Sequence, residues 1–498
     1  MYNITILLKD TEFEHDVFEL TRAFFPEASF SVLYSEEEMP GDRDLLIVSD
    51  RSGDEYRISY ESGDKRLLKT AGRLPDLPDG NPARKQNKDI IKSMLYELLS
   101  GETKRTLPWG DLTGIRPAKL ATEMLENGSS AEEAKNELMS RYMVSEKKAC
   151  LAAKIAVREL ELLSRVDCRT GYSLYVGIPF CPSICLYCSF SSFSLNAWST
   201  RVDDYLTALE KEIAGTAALM RETKRRLNTI YIGGGTPTSL NERQMDRLLR
   251  AICSQFDLSG LMEFTVEAGR PDSITEEKLK VIHSFPVTRI SVNPQTMNQK
   301  TLDLIGRKHT VYQTEEAFRL ARRTGFDNIN MDLIVGLPGE EEPDVRNTLE
   351  QIRELSPESM TVHSLAVKRS ARLNIFRDLY QEMTFENNQK IIDLTIEAAG
   401  AMKMAPYYMY RQKNMKGNFE NVGYARAGKE CLYNILIMEQ KEPIIALGAG
   451  GSTKFQIPGS SRICRIENVK DVAEYITRVD EMTDRKRTGI MRWLTTTH

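Results

Sequence analysis

The apolar positions of the chain follow one rhythm up to about residue 164 and another from there to about residue 366. In residues 1–80, short apolar runs ("NITILL", "FSVLYS", "DLLIVSD") flank one stretch, "HDVFELTRAFF", whose apolar residues recur at helical spacing. Runs bounded by polar turns predict strands and the recurring stripe predicts a helix, so this segment reads as a small α+β domain. "GRLPDLPDGNPARKQNK" (72–88) is broken by Pro and Gly and reads as a linker or long loop. From Asp89 to about Ser164 the pattern is helical, through "DIIKSMLYELLSG", "PAKLATEMLENG", "SAEEAKNELMSRYM" and "KKACLAAKIAVRELELL". Residues 81–168 therefore form a helical connector, in which "NGSS" stops one helix and caps the next.

The second rhythm is strand, then helix, repeated. The β-rich runs are "SLYVGIP" (173–179), "NTIYIGGG" (228–235), "MEFTVEAG" (262–269), "TRISVNPQ" (288–295), "NINMDLIVGLPG" (328–339) and "SMTVHSL" (359–365). Amphipathic stretches such as "RVDDYLTALEKEIAGTAALM" and "ERQMDRLLRAICSQF" separate them. Six such units predict an α/β fold over 169–366, a parallel sheet that stops short of the eight units of a closed barrel: a partial (β/α)6 barrel. The remaining 367–498 reads as a C-terminal covering domain, with a helix near "NQKIIDLTIEAAGAMKM" and strands at "PYYMYRQ", "LYNILIM" and "PIIALGAG".

In parallel α/β folds chemistry gathers at the C-terminal ends of the strands. The unusual residues of this chain fall there: the cysteine run "CPSICLYCSF" (181–190), the glycine run "YIGGGTPT" (231–238), Glu267, Gln295 and Asp332. Three thiolates at the spacing Cys181, Cys185, Cys188 can hold three irons of a [4Fe–4S] cluster and leave the fourth open to a ligand. A zinc site completed by a distant histidine, or three unligated thiols, stay open on spacing alone. The glycines permit close backbone approach to a ligand, or serve a tight strand-to-helix turn. Polar strand-end side chains are binding groups or salt-bridge partners.

Composition narrows the classes. A net charge of −4 over 498 residues offers no basic field for nucleic acid. No apolar run approaches the roughly 18 residues of a membrane span. "MYNITILLKD" has neither the basic start nor the cleavage site of a signal peptide, which predicts a cytoplasmic protein. Clustered rather than paired cysteines agree with that compartment. Cys150 and Cys253 sit in helical apolar stripes and read as core thiols, and His363 as a core or cavity-facing histidine.

The cysteine spacing and the motifs after it resemble the radical S-adenosylmethionine (SAM) superfamily. The resemblance implies a cluster whose open iron chelates the amino and carboxylate groups of SAM, with one electron then yielding methionine and a 5′-deoxyadenosyl radical. It implies that Cys181, Cys185 and Cys188 hold the cluster. It further implies that Tyr175 is both a catalytic and a SAM-binding position, and that Tyr187 lies near the adenine. By the same resemblance Gly234, Gly235 and Thr236 are expected to meet the amino group, and Glu267 suits the ribose because a carboxylate accepts from both hydroxyls. Gln295, Arg307, Asp332 and Ala366 are implied to complete the contacts, Arg307 facing a carboxylate of SAM or else a surface ion pair. One SAM or two, and an electron donor such as flavodoxin or ferredoxin, are implied as partners.

Within the superfamily, "LYVGIPFCPSICLYCSF", "GGGTPT", "SVNPQTMNQKTLDLIGRKH" and "INMDLIVGLPGE" resemble the oxygen-independent coproporphyrinogen III oxidases. "YYMYRQKNMKGNFENVGYA" and the long N-terminal extension are most similar to their coproporphyrinogen dehydrogenase branch, HemZ. That implies decarboxylation of two propionates of coproporphyrinogen III, giving protoporphyrinogen IX in haem biosynthesis. Two positions depart from the family pattern: Gly177 stands where a histidine is usual, and Phe190 where a fourth cysteine is usual. The Cys-Ser-Phe form also resembles the haem-chaperone relatives, and a radical enzyme that methylates or opens a tetrapyrrole is a further alternative. An anionic tetrapyrrole needs cations, which Lys368, Arg369, Arg372, Arg411 and Lys413 supply, or else these are solvated faces.

Overall fold

The computed structural model describes residues 2–52, 55–72, 82–114, 116–188, 192–366, 387–411, 419–457 and 462–495. They divide into two compact units, Met1–Val157 with Lys416–Phe419, and Arg158–Met415 with Glu420–His498. No described helix is long and apolar enough to cross a membrane.

In the first unit, β1 (Asn3–Leu8), β2 (Ser29–Leu33), β3 (Leu45–Ser52), β4 (Glu55–Ser62) and β5 (Lys65–Gly72) form one sheet in the order β2-β1-β3-β4-β5. Ile4, Ile6 and Leu8 of β1, Ile47 of β3 and Ile58 of β4 alternate onto one face. They close over Val17, Leu20 and Phe24 of helix Glu14–Phe24 and over Ile91, Leu95 and Leu99 of helix Pro82–Thr103. β4 and β5 go beyond the expected strands: "KRLLKTAG" is charged and half-solvated, and Gly63 at φ +55° makes the turn between them. The second helix begins at Pro82, seven residues before the expected start, since a proline's fixed φ suits the first helical position. The rest of the expected linker, 73–81, lies outside the described residues.

The second unit carries β6 (Gly171–Ile178), the short pair β7 (Phe180–Cys181) and β8 (Phe193–Ser194), then β9 (Arg226–Gly234), β10 (Glu263–Gly269), β11 (Arg289–Val292), β12 (Ile329–Val335) and β13 (Ser359–Ser364). From the C-terminal region come β14 (Ala405–Tyr410), β15 (Asn421–Ala425), β16 (Ile444–Leu447), β17 (Ser452–Gln456) and β18 (Ile463–Glu467). Apart from the short pair they make one sheet, β14-β15-β13-β12-β11-β10-β9-β6-β16-β17-β18. β6 and β9–β13 are parallel in sequence order, as the six βα units predict. β16 adds a further parallel strand against β6, and antiparallel pairs finish both edges.

Amphipathic helices cover the outside. Helix Glu242–Gln255 starts in a capping box, Asn241 with Gln244, and buries Met245, Leu248, Leu249 and Ile252. One expected strand is a helix: "LYNILIM" lies in helix Leu432–Glu439, with Ile435 and Leu436 fully buried. The Glu263 carboxylate accepts from the backbone N–H of Leu432 (2.6 Å) and of Tyr433 (3.3 Å), so a barrel-strand acid caps this helix. A helix with no exposed residue has no polar face, and its sequence loses the period that would identify it.

Candidate functional site

Alternation along the parallel strands sorts their side chains into registered layers. β6 and β9 pair Tyr175 with Tyr231 and, two residues on, Gly177 with Gly233. The two tyrosine rings stack 6.2 Å apart at 15°, and helix Leu432–Glu439 adds Tyr433, 4.5 Å from Tyr231. The paired glycines leave space above these rings. A Cβ on Gly233 would stand 2.9 Å from the Tyr231 ring and 3.1 Å from the Glu267 carboxylate. A Cβ on Gly177 would stand 3.3 Å from the Leu447 carbonyl oxygen, so β16 crowds this position.

The cysteine loop leaves the end of β6 and is tied to the end of β9. Gly235 N–H donates to the Ile178 carbonyl and Thr236 N–H to the Phe180 carbonyl, both at 2.8 Å. The Thr236 hydroxyl is 3.5 Å from Cys181 Sγ. Gly234 has φ +114°, and a Cβ on Gly235 would lie 2.9 Å from Cys181 Sγ, so glycine keeps that sulfur uncrowded. The loop's far side is held by Leu186 N–H on the Ile305 carbonyl (3.0 Å) and by the Ser183 hydroxyl on the Gly306 carbonyl (3.2 Å). Cys181 and Cys185 are buried and Cys188 is half-buried.

Among the described residues, no group of three His, Cys, Asp or Glu side chains is arranged to hold a single metal ion. The donor set is three soft thiols, two of them with hydrogen-bond donors from the fold at sulfur. Thiolate donors with such support suit an iron–sulfur cluster.

Four further predicted positions lie in or beyond the neighbouring strands β10, β11 and β12. Glu267 accepts a short hydrogen bond from the Tyr231 hydroxyl. Burial pushes its carboxyl up to about 7, the Tyr231 bond pulling it back and Asp332 pushing it further. Gln295 lies beyond β11 at φ +69°, held there by its N–H on the Asp332 carbonyl (3.0 Å) and its own carbonyl under Ile334 N–H (2.8 Å). Its side-chain Oε1 is buried without a hydrogen-bond partner among the described residues. Arg307 is buried, not a surface ion pair: it donates to the Tyr187 hydroxyl (3.0 Å) and to the Asn293 carbonyl (2.7 Å). Asp332 takes Asn330 Nδ2 at 2.6 Å and lies 3.9 Å from His363 Nε2, whose Nδ1 meets the Tyr410 hydroxyl at 3.2 Å. Burial raises the Asp332 carboxyl, but His363 and Asn330 outweigh it and hold the group below the usual carboxylate range.

Ala366 is half-buried just past β13. Arg411 is buried, and desolvation pulls its guanidinium down to about 10 against the pull of Glu420. Lys368, Arg369, Arg372, Lys413 and Phe190 lie outside the described residues. Three residues that the motifs did not single out belong to the site. Tyr433 completes the ring stack, and Arg270 reaches the cysteine loop. Buried Glu340 binds the Thr296 hydroxyl (2.5 Å) and Asn298 Nδ2 (3.0 Å), bracing the turn beside Gln295.

The chain matches the Radical SAM superfamily over residues 175–352. It is 37% identical, over 96% of both chains, to the oxygen-independent coproporphyrinogen-III oxidase-like protein HemZ of Bacillus subtilis (strain 168). It is 33% identical to the haem chaperone HemW of the same organism, over 62% of this chain and 76% of HemW. The solved structure of Escherichia coli coproporphyrinogen III oxidase, HemN, superposes with a TM-score of 0.51 at 23% identity, over 65% of this chain and 72% of that one.

Proposed function

The chain belongs to the radical SAM superfamily, in its coproporphyrinogen III oxidase-like family, and from that premise we propose that it decarboxylates coproporphyrinogen III oxidatively to protoporphyrinogen IX. The family's [4Fe–4S] cluster and SAM supply, when bound, a 5′-deoxyadenosyl radical that abstracts hydrogen from a propionate. In this reading Cys181, Cys185 and Cys188 hold the cluster, and Gly234, Gly235 and Thr236 receive the SAM amino group. Glu267 takes the ribose, while Gln295, Arg307, Asp332 and Ala366 hold the rest of one SAM or two. Tyr175 and Tyr187 flank them, and Lys368, Arg369, Arg372, Arg411 and Lys413 meet substrate carboxylates.

The observation that carries this reading is the Cys181 sulfur seated against the Gly235–Thr236 backbone, with Glu267 and the unpartnered Gln295 acceptor at neighbouring strand ends. The full-length similarity to HemZ supports the tetrapyrrole substrate. A second reading, a SAM- and cluster-containing haem chaperone, draws on the similarity to HemW and on Gly177, a position that β16 crowds.

The test is anaerobic turnover of the iron-reconstituted protein with SAM, coproporphyrinogen III and a low-potential one-electron donor of the flavodoxin, ferredoxin or dithionite class. Protoporphyrin, with deoxyadenosine formed for each propionate lost, is expected. Deoxyadenosine without protoporphyrin removes this substrate; haem taken up with a discrete spectrum, and no turnover, favours the chaperone.

Glu267 gives this reading a pH signature. Its carboxyl is raised to about 7, so it is protonated below that pH, and only the carboxylate accepts from both ribose hydroxyls. SAM affinity should therefore rise with pH and level off above about 7, weakening up to about tenfold per unit below it. Glu267→Gln should weaken binding about tenfold or more at pH 8 and flatten the profile. Anaerobic equilibrium dialysis between pH 6 and 8 measures both, and a wild-type profile as flat as the variant's would rule Glu267 out as the ribose acceptor.

A further inference from the structure

The cysteine loop is clamped by a residue from the end of the third barrel strand. Arg270 follows Gly269 at the end of β10 and is 4% exposed, so its charge is carried in the interior. Its Nη1 donates to the Ser183 carbonyl (3.0 Å) and hydroxyl (2.8 Å), between the first two cysteines, and lies 3.9 Å from Cys185 Sγ. Its other edge makes a two-point bond to Asp272, Nε at 2.9 Å and Nη2 at 2.7 Å. Asp272 thus fixes the plane of the guanidinium, and the fork that remains can only face the loop. Arg307 is a second buried cation whose charge also acts on Cys185, but its donors go to the Tyr187 hydroxyl and to backbone carbonyls, not to sulfur.

We propose that Arg270 is the residue that sets the reduction potential of the cluster, by holding an N–H donor and a fixed positive charge at the Cys185 sulfur. This rests on the reading that Cys181, Cys185 and Cys188 hold a [4Fe–4S] cluster. A cluster with three thiolates is anionic when oxidised and gains one more negative charge when it accepts an electron from a low-potential donor. Nothing else is transferred in that step. A donor aimed at sulfur stabilises the reduced form more than the oxidised one, and does so strongly where water is excluded. Arg270 therefore moves the couple toward less negative potentials, within reach of the donors that must reduce it. Arg270 is a positioning and tuning residue; it does not touch the reacting carbon.

The experiment is an EPR-monitored redox titration, without SAM, of wild-type protein, Arg270→Lys and Arg270→Gln, each with iron and sulfide content determined. The expected result is a full cluster with a more negative midpoint in Arg270→Gln, and a smaller shift in Arg270→Lys, which keeps the charge and loses the fork. At a fixed donor potential near the wild-type midpoint, the reduced fraction in Arg270→Gln should fall several-fold. An unchanged midpoint at full cluster content overturns the proposal and leaves Arg270 a strap for the loop. Should Arg270→Gln fail to load, pulsed EPR of wild-type protein labelled with ¹⁵N-arginine decides. A nitrogen coupling on the reduced cluster that Arg270→Lys loses supports the proposal, and equal couplings in the two overturn it. Wild-type protein that binds no cluster at all would instead sink the cluster reading itself.

Discussion

Cys185→Ser should yield a folded protein with no reducible cluster and no deoxyadenosine above background. The substitution is nearly isosteric and removes no core aliphatic group, so the fold around a buried residue 8% exposed should persist. What changes is the donor. Three thiolates are the fewest that anchor a cluster while leaving one iron for a substrate, and a serine oxygen is a hard ligand in a soft set. Without a reducible cluster there is no source of the radical, and turnover should fall to the uncatalysed rate, at least about 10⁶-fold. Iron and sulfide analysis, the visible spectrum and deoxyadenosine quantification read the outcome, with circular dichroism as the check on folding. Cys253→Ser is the matched control, since Cys253 is half-buried on the helix Glu242–Gln255 and not a core thiol, and lies outside the three-cysteine run. A Cys185→Ser protein that still reduces and cleaves SAM would overturn the assignment of the three cysteines.

Local patterns in the chain carried the barrel because each strand and each covering helix declares itself within its own few residues. Tyr175, Tyr231, Glu267 and Asp332 sit at alternating strand positions that period two places on one face of the sheet, within reach of the strands' C-terminal ends. The residues that escaped are those whose partners are far away along the chain. Arg270 reads as a surface arginine until Ser183, 87 positions earlier, is brought beside it. Glu340 is one more acid in "GLPGE" until Thr296 and Asn298 fold onto it across the next strand. Tyr433 lies in a segment that reads as a strand, because a helix with no exposed residue shows no polar stripe. β16 was expected as a strand, but its place beside β6 depends on a chain return of some 270 residues that no local pattern encodes. That same placement supplies the physical account of Gly177, whose missing side chain would face the Leu447 carbonyl.

The largest loss of stability is expected from Lys486→Met, at a position far from any motif. Lys486 is 1% exposed on helix Val479–Thr495, and its ammonium pairs with Glu212, 0% exposed on helix Val202–Glu222. Glu212 also accepts from Gly448 N–H (2.7 Å), Asn468 Nδ2 (2.7 Å) and the Tyr475 hydroxyl (2.6 Å). Methionine fills the space of the lysine stem and strands the carboxylate among neutral donors, a cost of about 3–5 kcal/mol for a buried pair broken from one side. Adding Glu212→Gln should return part of that loss, because the double variant buries no charge, so the two changes are expected to be strongly non-additive. The consequence reaches the site through Gly448. Its N–H is held by Glu212, and a Cβ on it would stand 2.5 Å from the Gly177 carbonyl, which already accepts from the Tyr205 hydroxyl at 2.7 Å. The ion pair therefore pins the end of β16 against β6, four residues before Cys181, so Lys486→Met should load its cluster less completely as well as unfold at lower urea. Urea denaturation of the four proteins in the cycle, each with its iron content measured, separates these effects. A single variant within about 0.5 kcal/mol of wild type, inside the range of ordinary surface substitutions, would mean that Asn468, Tyr475 and the Gly448 N–H satisfy Glu212 without its lysine.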